Sequence, residues 1–457
     1  MAPLLHPVNP ATGAALDPVS TTSDDEIESA IAAAHALYLD WRTRSVDSRT
    51  DVLLRAAALY RERAESLAEL ISIEMGKPIS QARGEIAVSA DIFEYYAENA
   101  VSFTQDEPIP VRSGGTAVVR TEPIGALLGI MPWNYPHYQV ARFAAPNLAL
   151  GNPVIVKHAA NCPRSAAAID ALLRDAGLPA GGYTNVYATH DQVSAMIADR
   201  RVQGISLTGS ERAGSIVAEQ AGRHLKKVVL ELGGNDPFIV LDGNEISATV
   251  EAAVKGRMSN AGQACTSPKR LIVVDAVYDE FVSAFRERLL SVVPGDPLDP
   301  ATNFGPVSTA GARDELLGQI NDAVAQGAVL HLGGDVVDRP GSYLQPTMLT
   351  DVTPSMRAWS EEMFGPVATI FRVADADAAI ELANDSPYGL GASIFGSDPE
   401  QNRYVAERLE VGMVYIGSNT ESEADLPFGG VKLSGFGREL GPRGMEEFAN
   451  RKLIRSL

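Results

Sequence analysis

The sequence predicts an α/β protein made of two α/β units and a small antiparallel arm, on three observations. First, short runs that are apolar on both faces, namely PVIVK (153–157), GISLT (204–208), KVVLE (227–231), FIVL (238–241) and RLIVV (270–274), alternate with Ala-rich helical patterns at 164–176, 211–223 and 246–260. Strands of that kind, separated by helices, belong in a parallel sheet covered on both sides. Second, the texture returns in the later half of the chain. Third, the turn-rich stretch QDEPIPVRSGGTAVVRTEPIG reads as an extended hairpin at about 105–123.

Taken in order, residues 24–43 place Ile27, Ile31, Ala34 and Leu37 at helical spacing behind acidic starters. Further helical stretches cover about 47–75, where Leu53, Leu54, Ala57, Leu59 and Tyr60 mix with Arg and Glu, and about 83–103. The hairpin and the alternating strands and helices follow. A helix at 276–292 succeeds RLIVV, another at 311–327 precedes AVLHLGG, and strands near 367–372 and 412–416 flank two more helices. No solenoid repeat, low-complexity segment or Ser/Gly linker interrupts the pattern, so the units are expected to meet through packed contacts.

Composition narrows the class. A length of 457 residues corresponds to roughly three domain-sized units and supports a large core without covalent staples. The 45% hydrophobic content, with Gly 40 and Pro 28 scattered, excludes disorder. Two cysteines, Cys162 and Cys265, make no disulfide framework and point to a reducing, cytoplasmic setting. The opening MAPLLHPVNPATG has no signal-peptide pattern, and no apolar run approaches the roughly 18 residues of a membrane span. A formal charge of −20 repels phosphate backbones, so neither nucleic acid nor membrane is an expected partner.

Several familiar motifs are missing: no Gly-x-Gly-x-x-Gly, no P-loop, no metal-ligand spacing, so no metal is expected, and no Gly-x-Ser-x-Gly elbow. TGSERAG (208–214) still has physical content, because Gly209 and Ser210 open a helix whose first N–H groups can hold a phosphate. An ordinary capped helix would read the same way. Three other segments concentrate chemistry: GIMPWNYPHYQVARFAAPNLALGN (129–152), VVLELGGNDPFIVL (228–241) and MSNAGQACTSPKR (258–270). Cys265 follows a glycine-containing loop with no apolar periodicity around it, as a nucleophile would, although a lone cysteine is also a common small core residue. Glu231 ends an apolar strand at the edge where open α/β sheets hold ligands; a plain pair with Lys226 is the alternative. Asn134, between Pro132, Trp133 and Pro136, is an amide in a rigid turn, and a simple Asx-turn would explain it as well.

Together these segments resemble the aldehyde dehydrogenase superfamily. Its motifs stand here as PWNYP (132–136), VIVKHAANCPRSA, LTGSERAG, the Glu-Leu-Gly-Gly at 231–234, GQAC (262–265), EEMFGP (361–366) and PFGG (427–430), in family order over some 300 residues. The resemblance implies an aldehyde dehydrogenase-like fold of two doubly wound α/β domains plus a small β oligomerisation arm. The cofactor-binding domain is expected over 1–104 and 124–231, the catalytic domain over 232–430, and the arm over 105–123 and 431–457. The arm's unpaired edges imply a homodimer or homotetramer.

The same resemblance assigns roles. Cys265 is the nucleophile that forms a thiohemiacetal and then a thioester, Asn134 an oxyanion donor, and Glu231 the base that activates water. Glu231 also favours release of a free acid over transfer to a thiol. NADP or NAD is expected along Trp133, Asn134, Lys157, His158, Ala159, Ala160, Gly209, Ser210, Leu232, Glu362 and Phe364. Ala160 stands where NAD-preferring members carry a ribose-binding glutamate, so a 2′-phosphate meets no repelling carboxylate and NADP is the preferred cofactor. Arg142 stands where succinate-semialdehyde dehydrogenases grip the distal carboxylate, with Ser422 beside it; a salt-bridge role for Arg142 is the alternative. The expected reaction is oxidation of succinate semialdehyde to succinate. Because Glu421, Glu423 and Asp425 crowd the same loop, a broad aliphatic or amino-aldehyde dehydrogenase is the second reading. Phe143 replaces a lysine common in the family, and Ser267 stands where redox-switched members have a second cysteine.

Overall fold

The computed structural model describes residues 4–457, and the first three positions of the expected cofactor-binding domain lie outside that description. Two sheets organise the chain. The first has six strands in the order Gly435–Phe436, Lys227–Glu231, Val202–Thr208, Ala126–Met131, Val154–His158 and Tyr183–Val186. All its pairings are parallel except that of Gly435–Phe436 with Leu230 and Glu231. The second has seven strands in the order Val329–Leu332, Thr347–Thr350, Val367–Val373, Arg270–Val274, Pro237–Val240, Gly391–Phe395 and Met413–Ile416, with only the outermost Val329–Leu332 antiparallel.

The apolar runs form strands where expected, for the expected reason: Phe238, Ile239, Leu271, Ile272 and Val273 are buried on both faces of a sheet covered by helices. Two parallel strands of the first sheet, besides its antiparallel edge strand Gly435–Phe436, were not anticipated. Ala126–Met131 is hidden in sequence because ALLGIM runs straight into the proline-rich turn, and Tyr183–Val186 is too short and polar to stand out. The helical stretch 47–75 divides at Arg63 into Asp47–Glu62 and Ala64–Met75, whereas the stretch at 83–103 extends back to Ile79. The first helix, Asp24–Trp41, starts at Ser23 in a capping box with Glu26.

A separate three-stranded sheet pairs Thr116–Pro123 with Glu107–Ile109 on one side and Ala449–Ser456 on the other. The C-terminal segment 431–457 is therefore divided. Only Ala449–Ser456 joins this arm, while Gly435–Phe436 extends the first sheet and Val431–Lys432 pairs with Tyr388–Gly389. Gly435, at φ 105°, permits that return: a Cβ there would collide with the Leu230 carbonyl. Among the described residues no helix is long and apolar enough to cross a membrane.

Where the two sheets join, the chain needs only five residues, Leu232–Asp236, to leave the last parallel strand of the first sheet and enter the second at Pro237. The loop carrying Cys265 precedes the neighbouring strand Arg270–Val274 and lies against this crossover, Lys269 N donating to Asp236 O at 3.1 Å.

Two histidines are buried at or just after strands of the first sheet. Burial pushes His137 down to about 3 and His158 down to about 4. Below the ordinary imidazole range near 6.5 the unfolded chain therefore binds protons that the folded chain refuses, and each histidine removes stability as pH falls from about 6.5 towards those values, up to about 3 kcal/mol for His158 and about 5 kcal/mol for His137. Urea unfolding at neutral pH and near pH 5 is expected to give a steeper acid loss for the native chain than for His158→Gln.

Candidate active site

The turn after strand Ala126–Met131 and the loop before strand Arg270–Val274 are tied together by their own polar groups. Asn134 Nδ2 donates to Gln263 O at 3.1 Å, two residues before Cys265. In return Asn260 Nδ2 donates to Asn134 O at 3.0 Å, and Lys77 Nζ donates to the same oxygen at 2.8 Å. Lys77 is ion-paired with Glu85, whose other carboxylate oxygen accepts from His137 N at 2.8 Å and Tyr138 N at 3.2 Å. A carboxylate at the start of the buried helix Tyr138–Leu150 satisfies N–H groups that have no partner inside the helix. On the loop side Asn260 and Ala261 adopt φ of 51° and 52°, followed by Gly262 at 74°. The two non-glycine residues store about 1–3 kcal/mol of strain each, directly before the cysteine.

Cys265 stands at a partition between two cavities. One, of about 260 Å³, is lined by Trp133, Asn134, Thr208, Gly209, Ser210, Leu232, Gly233, Glu362 and Phe364, with Cys265 and Gln139 at its inner end. The other, of about 410 Å³, has aromatic walls in Tyr135, Tyr138 and Phe428, with Glu421 and Ser422, and it shares Cys265 and Gln139 with the first. Burial pushes the Cys265 thiol up to about 12, opposed by Arg142 and Lys269 and reinforced by Glu362 and Asp236. The free protein thus holds a neutral thiol.

Of the three expected catalytic residues, Cys265 and Asn134 share a wall, whereas Glu231 does not line either cavity. It is only 2% exposed, and neither carboxyl oxygen has a hydrogen-bond partner. Oε1 lies against Gly429, where a Cβ would meet it at 2.7 Å, so the carboxyl points behind the wall formed by the next residues, Leu232 and Gly233. Desolvation holds its pKa well above the usual carboxylate range; Arg142 opposes this and Glu439 adds to it. The alternative of a pair with Lys226 fails, because that ammonium donates to Asp199 O and Val202 O.

Arg142 needs correction as a residue that grips a ligand directly. It is 0% exposed and absent from the lining of both cavities. Its Nε is ion-paired with Glu439, and its guanidinium lies between the rings of Phe428 and Tyr138, 4.4 and 5.2 Å from their centroids. Burial disfavours its charge, but Glu439, Tyr138 and Glu231 more than offset that and raise its pKa. The salt-bridge alternative describes it, inside the protein rather than on its surface. Its link to the larger cavity is indirect: Arg142 Nη1 donates to Tyr138 Oη at 3.3 Å, and Tyr138 Oη donates to Ser422 Oγ at 2.8 Å.

The residues expected along the cofactor separate into two groups. Trp133, Asn134, Gly209, Ser210, Leu232, Glu362 and Phe364 surround the smaller cavity, with Trp133 edge-on to Phe364 at 5.8 Å. Ser210 caps the helix Glu211–Arg223 by accepting from Ala213 N at 3.3 Å, which leaves the helix start open to solvent. Lys157, one residue before the end of its strand, has no side-chain hydrogen-bond or ion-pair partner among the described residues, and burial lowers its pKa. Ala159 is half-buried and Ala160 exposed beyond it. His158 is a correction: its ring is buried, with Nδ1 accepting from Ala159 N at 2.8 Å and Nε2 directed at Pro136 O at 3.0 Å. That neutral ring braces the Pro136 turn and offers its side chain to no ligand.

Sequence reasoning missed Gln139, on the wall of both cavities, together with Lys77, Glu85, Asn260, Lys269 and Glu439. Only Glu439 carried a possible signal, in the GREL that follows PFGG; a lysine or glutamate elsewhere looks like surface charge until its burial is known.

Comparison with known proteins agrees with this geometry. The model of the aldehyde dehydrogenase family matches residues 3–454. A succinate-semialdehyde dehydrogenase [NADP(+)] of Deinococcus radiodurans is 53% identical over 98% of this chain and 94% of that protein. A succinate semialdehyde dehydrogenase [NAD(P)+] of Escherichia coli K12 is 44% identical over 98% of this chain and 96% of its own length. Among solved structures, succinic semialdehyde dehydrogenase from Streptococcus pyogenes in complex with NADP+ superposes with a TM-score of 0.97 at 41% identity, covering 98% of this chain and 99% of that one.

Removing Glu439 leaves the Arg142 charge buried without its counter-ion. Glu439→Ala is therefore expected to lose about 3–5 kcal/mol of stability by denaturant titration, and the double variant Glu439→Ala with Arg142→Met to recover part of it. No recovery in the double variant would contradict the pairing.

Proposed function

We propose that this chain, which belongs to the aldehyde dehydrogenase family, oxidises succinate semialdehyde to succinate with NADP as preferred cofactor and NAD accepted. The observation that carries this reading is the place of Cys265, a thiol shared by a cavity lined by Ser210, Glu362, Trp133 and Phe364 on one side and an aromatic-walled cavity on the other. The names of the relatives from Deinococcus radiodurans and Escherichia coli agree on the substrate and on phosphorylated cofactor use.

The residues present fit the cofactor. The helix start at Ser210 offers free N–H groups to a pyrophosphate, Glu362 a carboxylate to ribose hydroxyls, and Trp133, Leu232 and Phe364 apolar faces. Lys157 has an unpaired ammonium, and Ala160 leaves no carboxylate to repel a 2′-phosphate. When bound, NADP+ supplies the hydride acceptor.

In this reading the Cys265 thiol gives its proton to solvent water, its sulfur adds to the aldehyde carbon as the carbonyl π bond opens onto oxygen, and the new oxyanion takes hydrogen bonds from Asn134 Nδ2 and the Cys265 main-chain N–H. The bond of Asn134 to Gln263 O uses one amide hydrogen and leaves the other free for that role. Loss of hydride leaves a thioester on Cys265. Glu231 then takes a proton from the water that hydrolyses it, after its side chain swings from the Gly429 side into the cavity. Its unpaired oxygens and raised pKa suit a base that is not locked in place. The substrate's far carboxylate meets the hydroxyls of Ser422 and Tyr138, with the Arg142 charge one hydrogen bond behind them.

The second reading, an amino-aldehyde or neutral-aldehyde enzyme, draws on Glu421 in the cavity wall and on the absence of an unpaired cation there. The open edges of the arm sheet support assembly as a homodimer or homotetramer, the free thiols Cys162 and Cys265 suit the cytoplasm, and the acidic surface accords with neither nucleic acid nor membrane as partner.

A panel of succinate semialdehyde, propanal, a longer aliphatic aldehyde and a cationic amino-aldehyde, each with NADP and NAD, tests the assignment. The expected result is a kcat/KM highest for succinate semialdehyde with NADP; a preference for the cationic aldehyde would transfer the assignment to the second reading. Asn134→Ala is expected to lower kcat about 10²–10³-fold with the thiol still open to alkylation.

A further inference from the structure

Lys269 has no part in the chemistry above, yet its ammonium is spent entirely on the site. It is 1% exposed. Nζ donates to Cys265 O at 2.7 Å and to Ala264 O at 2.9 Å, reaches Ser267 O at 3.3 Å, and is ion-paired with Glu362 Oε1 at 3.0 Å. Glu362 lines the nucleotide-side cavity, and the same Oε1 accepts from Gly234 N at 3.2 Å on the crossover between the sheets. One buried cation therefore binds the main chain of the nucleophile on one side and a cavity-lining carboxylate on the other.

The charges that act on the thiol divide by sign. Arg142 and Lys269 favour the thiolate, while Glu362 and Asp236 oppose it. Arg142 is already paired with Glu439, and Glu231 lies beyond it. Tyr135 and Tyr138 line the same cavity as Cys265, and the Tyr138 hydroxyl donates to Ser422. Asp236 sits beneath the crossover, pushed up to about 8 by burial, with Lys269 opposing and Glu362 reinforcing, so it is mostly uncharged at neutral pH. Lys269 is thus a source of positive potential at Cys265 whose strength is set by one carboxylate, Glu362. An ammonium held by three successive-loop carbonyls also fixes where the cysteine's main-chain N–H points.

We propose that Lys269 is a positioning residue for Cys265: its ammonium locks the nucleophile's loop and supplies a local positive charge that Glu362 attenuates. The inference concerns the thiol in the free enzyme and so stands apart from which aldehyde or nucleotide the protein uses; it rests on the proposed reading only in taking Cys265 as the nucleophile.

The experiment follows the pH dependence of Cys265 alkylation by iodoacetamide in the free full-length enzyme, in a Cys162→Ala background so that one thiol reports. Lys269→Met, which keeps length and removes charge, is expected to raise the alkylation midpoint by about one unit, a tenfold slower reaction at fixed pH below it. Glu362→Gln, which keeps shape and removes the opposing charge, is expected to lower the midpoint. Shifts of opposite sign are not produced by a loosened loop, which would move both variants the same way. An unmoved midpoint in either folded variant, or shifts of the same sign, overturns the proposal. Should Lys269→Met fail to fold, Glu362→Gln decides: a midpoint that does not fall overturns it. If Cys265 alkylates freely in the unmodified enzyme while aldehyde oxidation continues undiminished, it is the nucleophile assignment that fails instead.

Discussion

The join between Asn134 and the loop that carries Cys265 is the constraint from which the rest of the site takes its shape. Asn134 gives its amide hydrogen to Gln263 O and receives Asn260 and Lys77 on its own carbonyl. Each of these groups is buried, so breaking any one bond would leave a polar atom without water to replace its partner, at about 1–3 kcal/mol. That penalty makes the geometry rigid where a loop would otherwise be free, and it sustains the left-handed Asn260 and Ala261. A first sheet that supplies the Asn134 turn and a second sheet that supplies the cysteine loop are held in register by this contact and by the short Leu232–Asp236 crossover.

Around that join the protein places three cations with almost no access to water, Lys77, Arg142 and Lys269, and gives each a carboxylate: Glu85, Glu439 and Glu362. Pairs of this kind contribute little net stability, since desolvation consumes most of the Coulombic gain. Their value lies in direction. Lys77 and Glu85 orient the turn and the helix start behind it, Lys269 holds the carbonyls of the Cys265 loop, and Arg142 with Glu439 acts on the pKa of Glu231.

Glu231 shows how such a site retains motion. The strand hydrogen bonds fix its main chain, Gly209 N donating to Glu231 O at 3.0 Å, while both carboxyl oxygens are unbonded. Gly429 leaves room for the carboxyl where any side chain would fill it. The proposed role of Glu231, a base withdrawn while hydride leaves and present while water attacks, draws on a side chain anchored only at its root.

The sequence by itself determined the family, the α/β class and most of the strands and helices, and it singled out Cys265, Asn134 and Glu231 as candidates, because apolar runs, glycine-rich turns and motif order are local properties. It could not separate Asp47–Glu62 from Ala64–Met75, assign the strand Ala126–Met131, or divide the C-terminal segment between arm and first sheet, because those outcomes depend on which partner strand lies alongside. Arg142 and His158 mark the same boundary at the level of side chains. Their positions in the motifs pointed to ligands, and only the tertiary structure decided that Glu439 takes the guanidinium and that Pro136 and Ala159 take the ring. Whether water, a ligand or another buried group meets a long polar side chain is settled by what the fold brings alongside it, Glu439 for Arg142 and Pro136 for His158.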